Sequence, residues 1–330
     1  MLLRYKIALT TGLIILFATV GVFYYLNTFY IADKAFSNYP RTNYSLASAL
    51  SAAYLEEPLF FMQKRVSAKR IAEALIGNSA VLNAFSRANY KIVATETGYR
   101  TTELKHVDRY IPVVSQNYLL STALGYVQFP LIRLSISNYL HEQRRERILK
   151  EYEIARQLET EAQPKFVFLH IVAPHPPFVF NADGSKHVSD IAFILGDGHG
   201  FEGAPNYRER YIEQAKYIAK LTSDLIERLL SSDRKPIIII QGDHGPGSDY
   251  NLESAEKTDL WERFSILNAY YFPDQDYGAL YPSISPVNSF RVVLNKLSGK
   301  SIDLLPDKSF FSAISKPYDF VRVDEKIKKN

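Results

Sequence analysis

The four consecutive isoleucines in Pro236–Gln241, PIIIIQ, limit the fold of this 330-residue chain more than any other feature. Successive side chains of a strand point to opposite faces, so a run that is apolar at every position needs cover on both sides, as the strands of parallel sheets have. Three further segments read as strands: Tyr90–Glu96 (YKIVATE), Lys165–Ala173 (KFVFLHIVA) and Ser265–Phe272 (SILNAYYF). Several of them are likewise apolar on both faces. Helical stretches lie between, over Tyr44–Leu55, Asn138–Leu158 and Tyr207–Leu230. Strand alternating with helix implies an α/β fold, a doubly wound, mostly parallel sheet with helices on both faces. In such sheets ligands bind beyond the carboxyl ends of the strands.

Two strand ends carry side chains suited to chemistry. Asp243 and His244 follow PIIIIQ directly in GDHGPG, where glycine and proline let the backbone bend sharply around a ligand. A carboxylate and an imidazole so placed can bind a divalent metal; the plainer alternative is a polar turn with a surface histidine. The second end is FLHIVAPHPPFVF. His175 stands in a turn stiffened by Pro174, Pro176 and Pro177, which removes backbone donors and holds the imidazole in one place. His175 is therefore the candidate to touch substrate. His170, within or near the strand, reads either as a satisfied core histidine or as a supporting contact.

From Ile7 to Leu26 no residue is charged, and twenty such residues are enough to cross roughly 30 Å of hydrocarbon. Arg4 and Lys6 precede the stretch, so the positive-inside rule leaves residues 1–6 in the cytoplasm, makes 7–26 a single transmembrane helix and exports 27–330. The expected location is an inner or plasma membrane, with the domain on the periplasmic or extracellular side. A cleaved signal peptide has the same charge order but ends in small residues, not in FYYLNTFY. The absence of cysteine excludes disulfides and thiolate ligands. A net charge of +4, with no basic block interleaved with aromatics, argues against a nucleic-acid partner. No repeat or Gly/Ser-rich linker divides the chain after residue 27, which favours one domain.

Five blocks, FSNYPRTNYSLASALSAAYL, FLHIVAPHPPFVF, IIIIQGDHGPG, FSILNAYYFP and LYPSISPVNSFRVVLN, resemble in order the sulfatase-like branch of the alkaline phosphatase superfamily. The resemblance is nearest to membrane-anchored proteins of the lipoteichoic acid synthase and phosphoethanolamine transferase type. It implies Thr42 as nucleophile at the start of a helix, followed by Ser45 and Ser48 on one helical face. It also implies Asp243 and His244 as metal ligands, His175 as a catalytic contact to the transferred group, and Arg41 and His170 as substrate-binding residues. An ordinary helix N-cap is the alternative role for Thr42.

Formylglycine sulfatases build their nucleophile from Cys or Ser, whereas this chain has no Cys and carries Thr at the matching place. The resemblance therefore points to transfer or hydrolysis of phosphodiester-linked head groups, phosphoglycerol or phosphoethanolamine, in modification of envelope glycan or lipid. It implies one divalent ion (Mn, Mg or Zn), with the membrane and an anionic phospholipid or glycan as partners. The family's first strand, which ends in a metal-binding acid, has no counterpart in the fifteen residues between Leu26 and Thr42. Asp33 is the sole acid upstream of Thr42, so a weakly bound metal is expected. A degenerate member that binds glycan or anionic lipid without turnover is the competing expectation.

Overall fold

The computed structural model describes residues 28–56, 67–113, 126, 129–158, 163–189, 192–194 and 206–327. The apolar stretch 7–26 lies outside the described residues; among the described residues, no helix is long and apolar enough to cross a membrane. In chain order the elements are β1 (Tyr30–Ile31), α1 (Thr42–Ser51), α2 (Ala68–Gly77), α3 (Ala80–Arg87), β2 (Lys91–Thr95), β3 (Arg109–Ile111) and α4 (Pro130–Gln157). They continue with β4 (Lys165–Phe168), α5 (Tyr207–Leu230), β5 (Ile238–Gln241), α6 (Leu260–Phe264), β6 (Asn268–Tyr271), α7 (Pro286–Ser298), β7 (Phe310–Phe311) and β8 (Val321–Arg322).

Local chemistry sets the helix ends. Ser67 and Ser79 cap α2 and α3, each side chain accepting a backbone N–H of the first turn. Proline opens α4 and α7, where its missing N–H costs nothing. Gly299, left-handed at φ 65°, stops α7.

The strands form an α/β arrangement of two main ladders. β2 lies between β3 and β4 and is parallel to both, with Val93 opposite Arg109 and Val167. β6 lies between β1 and β5 and is antiparallel to both, with Tyr270 opposite Tyr30 and Ile239. The expectation that Ser265–Phe272 joins the parallel strands is thus corrected. Between β5 and β6 the chain makes only the five-residue α6, so no long crossover helix returns it to the start of the sheet, as parallel pairing requires.

Two other expectations change. Lys165–Ala173 is strand only to Phe168, because beyond it the backbone serves a loop whose carbonyls bond to helices instead of to a neighbouring strand. The isoleucines of β5 are half-buried, as is β4, and each of these strands pairs along one edge only among the described residues.

The principal core gathers Tyr39, Tyr44, Leu50, Ile76, Ile92, Tyr270, Phe272 and Ile284, where α1 packs on α2 and α7. A second core lies between α4 and α5, around Ile148, Tyr152, Leu221 and Leu225. Alternate residues of the parallel ladder go to different cores: Ile92, Ala94, Phe166 and Phe168 join the principal one, while Val93, Ile111 and Val167 pack with Ile154 of α4, and Leu169, Ile171 and Ala173 of the loop after β4 pack against the second core.

Candidate active site

Thr42 is the first residue of α1, while Arg41 occupies the N-cap position in extended backbone and makes no side-chain cap. The hydroxyl of Thr42 is therefore not spent on the helix end. Its Oγ1 lies 3.0 Å from His244 Nε2. Asp243 Oδ2 lies 3.3 Å from the same nitrogen. A carboxylate, a hydroxyl and an imidazole brought from positions about 200 apart in sequence thus converge on one point.

The tautomer of His244 follows from its other contact. Nδ1 faces the carbonyl of Gly245 at 2.9 Å and must carry a proton to bond there. Nε2 is left as an acceptor for Thr42 and for the guanidinium of Arg263, whose Nη2 is 3.4 Å away. In a relay of the serine-hydrolase kind the acid would hold Nδ1; here acid and hydroxyl approach the same nitrogen. That is the arrangement of ligands around a cation: tetrahedral bonds of roughly 2.0–2.2 Å set donors about 3.4 Å apart.

Two more imidazoles line the same cleft of about 60 Å³, with Pro174, Pro176, Tyr207 and Tyr211. His170 Nδ1 is 2.9 Å from Thr102 Oγ1, and His175 Nδ1 bonds the carbonyl of Pro176. All three histidines thus have Nδ1 engaged by the protein, the usual way a ligating or substrate-facing imidazole is oriented. Burial pushes the His170 imidazole below its ordinary value, with His244 acting the same way and Asp243 opposing it. Burial works against ionised Asp243, but His244, His170 and the Thr42 hydroxyl outweigh it and hold the carboxyl below the usual range.

The donor set fits a cation at Asp243, His244 and Thr42, and it is short. Among the described residues the one group of three acids or histidines close enough to share an ion is Asp249, Asp259 and Glu262, away from the cleft lining. Arg208 already neutralises that group through ion pairs to Asp249 and Glu262. Asp33 sits in the turn after β1, exposed, and belongs to no such cluster.

Arg41 is turned elsewhere. Its Nη2 donates to the carbonyl and hydroxyl of Ser312, the guanidinium covers the Tyr44 ring at 4.5 Å, and it does not line the cleft. Ser45 and Ser48 are buried in the packing of α1, with Ser48 Oγ donating to Ala53 O.

Several residues around the cleft had escaped the reading of the sequence. Arg144 in α4 donates to the carbonyls of Val172 and His175, and Gln214 in α5 donates to those of Pro174 and His175. Three prolines deprive this loop of donors, so its carbonyls are what the helices can grip. Arg144, Arg147 and Glu151 recur on the helical stripe that also carries Leu140, Ile148, Tyr152 and Ala155, all buried. That spacing was a legible sign that these charges point inward. Arg263, by contrast, gave no sign.

A family model described as Sulfatase matches residues 28–283. The chain belongs to the sulfatase family. It is thereby a member of a family of enzymes, within the sulfatase-like branch of the alkaline phosphatase superfamily. Solved structures share the fold at low identity. The C-terminal periplasmic domain of EcEptC from Escherichia coli, in complex with Zn, matches with TM-score 0.54 and 11% identity over 90% of this chain and 82% of that one. A 2-O GAG sulfatase, BT1596, matches with TM-score 0.51 and 13% identity over 90% of this chain and 68% of that one. The soluble domain of lipooligosaccharide phosphoethanolamine transferase A from Neisseria meningitidis matches with TM-score 0.50 and 13% identity over 81% and 76%. No curated protein matches the sequence.

Proposed function

We propose that this sulfatase-family member is a membrane-anchored transferase or hydrolase acting on phosphodiester-linked head groups of the phosphoglycerol or phosphoethanolamine type, with Thr42 as nucleophile. The observation that carries the reading is the convergence of Thr42 Oγ1 and Asp243 Oδ2 on His244 Nε2, at 3.0 and 3.3 Å. Asp243 and His244 would hold a divalent cation, which supplies Lewis acidity to the Thr42 oxygen and lowers the cost of ionising its hydroxyl. A phosphodiester fits better than a sulfate ester because the residue at the head of α1 is threonine and the chain has no cysteine.

In this reading Thr42 Oγ1 forms a bond to phosphorus, its proton passes to water, and the bond from phosphorus to the departing alcohol breaks. His175, whose Nδ1–H is held by the carbonyl of Pro176, takes that proton from the water at Nε2 and passes it to the departing oxygen. The N-terminus of α1 points its first backbone N–H groups toward the charge that develops beside Thr42. Water or a glycan or lipid hydroxyl then releases the group from Thr42. The likeness to a phosphoethanolamine transferase domain supports the head-group class. The apolar stretch 7–26 would anchor the domain outside the cytoplasm.

A member that binds without turnover is the second reading. It is favoured by the lack, among the described residues, of a third acid or histidine whose ligand atom lies close enough to those of Asp243 and His244 to share an ion. Metal analysis of the purified protein, with a panel of phosphodiesters on wild type and Thr42→Ala, separates the two. The enzyme reading expects bound divalent metal and turnover that Thr42→Ala abolishes and Thr42→Ser partly keeps. Equal turnover in Thr42→Ala returns Thr42 to a structural role, and no turnover in the wild type favours the binding reading.

A further inference from the structure

We infer that Arg263 is a positioning residue that registers the Thr42 loop against the Asp243–His244 loop, and that the planar fork of its guanidinium, not its charge alone, sets the donor geometry of the site. The inference rests on the proposed metal-and-threonine reading. Arg263 lies in α6 and is only 3% exposed. Its Nε donates to the carbonyl of Pro40 at 2.8 Å, two residues before Thr42. Its Nη1 donates to the carbonyl of Gly245 at 2.9 Å, next to His244, and its Nη2 approaches His244 Nε2 at 3.4 Å. The guanidinium lies over the Tyr250 ring, 4.1 Å from its centroid.

Three directions of donation therefore run from one rigid plane to the two loops that must meet. The backbone of the same helix adds to the clamp: Gly245 N donates to Arg263 O at 2.8 Å, and Ser37 N to Phe264 O at 2.8 Å. A lysine would keep the charge but offers a single ammonium, which cannot reach Pro40, Gly245 and His244 together. Replacing Arg263 should therefore leave Asp243 and His244 adjacent, being neighbours in the chain, while freeing Thr42 from them.

Cobalt(II) alone is the probe, added to the full-length chain in detergent and followed by visible absorption, which reports the atoms around the ion without any turnover. Wild type and Thr42→Ala are compared first; their spectra should differ because the hydroxyl is one of the donors. Arg263→Lys is then expected to take on the Thr42→Ala spectrum, with a cobalt Kd at least tenfold above wild type. Tyr250→Leu, which leaves the guanidinium in place but removes the ring beneath it, should raise the Kd several-fold. A wild-type spectrum and Kd in Arg263→Lys overturns the inference. If Arg263→Lys does not fold, an unchanged Kd in Tyr250→Leu overturns it. A wild type that takes up no cobalt overturns the metal reading instead.

Discussion

Gly245 stands where the two loops of the site meet, and replacing it tests how tightly they are packed. A Cβ built there would lie 1.9 Å from the carbonyl oxygen of Glu262 and 2.9 Å from that of Ser265, both backbone atoms that cannot swing aside. Relief requires a movement of more than 1 Å by one loop, which also breaks the bond from Gly245 N to Arg263 O. Overpacking of this kind costs about 1–3 kcal/mol, and loss of the buried hydrogen bond adds about 1 kcal/mol. Gly245→Ala should therefore lose on the order of 3 kcal/mol, a drop of roughly 5 °C in Tm for a domain of about 300 residues. Gly242→Ala, three positions earlier, is the control: its nearest atoms are Ile266 Cβ at 3.4 Å and Cγ2 at 3.5 Å, ordinary contact distance. There the effect should stay within about 1 kcal/mol, with the restriction that alanine puts on the unfolded chain acting toward a slight gain. Urea unfolding followed through Trp261, the sole tryptophan and a member of α6, reports both variants. Equal losses at the two glycines, or a loss under about 0.5 kcal/mol at Gly245, well below the cost of overpacking, would refute the argument.

Glu151 offers a test through pH. Burial pushes its carboxyl well above the usual range, against the pull of Arg147 and Arg144 and with Glu103 and Glu96 adding to the rise. A carboxyl raised in the folded state contributes stability below its unfolded pKa and loses it as pH rises toward the folded value. Glu151→Gln should therefore match wild type near pH 4 and exceed it in Tm at pH 8; a variant less stable at both pH values would mean that Glu151 is ionised and needed as a partner for the arginines. Gln214→Leu strips the donor from Pro174 and His175 and leaves Val179 N, which Gln214 accepts at 2.7 Å, buried without its partner. A loss of about 1–3 kcal/mol in urea unfolding is expected, together with slower turnover through the displaced His175, and no change in either would sink the role. For the proposed topology, a single cysteine introduced at exposed Leu297 into this cysteine-free chain should react with an impermeant maleimide on spheroplasts; reaction only after lysis reverses the orientation.

The sequence by itself determined the strand–helix alternation and the loops that carry His175 and the Asp243–His244 pair, each a local matter of periodicity or of chemistry between neighbours. Periodicity alone started the first long helix at Tyr44, and it was the family resemblance that put Thr42 at its head, where the structure has it. The sequence also marked the glycine after His244 as part of a sharp bend; what it could not show is that Gly245, which is not among the residues with positive φ, leaves no room for a Cβ, because the backbone of α6 lies 1.9 Å from where one would sit. The direction of β6 was likewise out of reach, since an apolar strand reads the same whichever way it runs, and only the pairing of Tyr270 with Ile239 fixes it. Arg263 is the furthest from what a sequence can say. A lone arginine in TDLWERF looks like any solvated charge. Its burial, and its reach to both Pro40 and Gly245, exist only after segments some 200 residues apart have come together. Contacts along the chain are set by spacing, whereas contacts across it are set by the packing of whole layers.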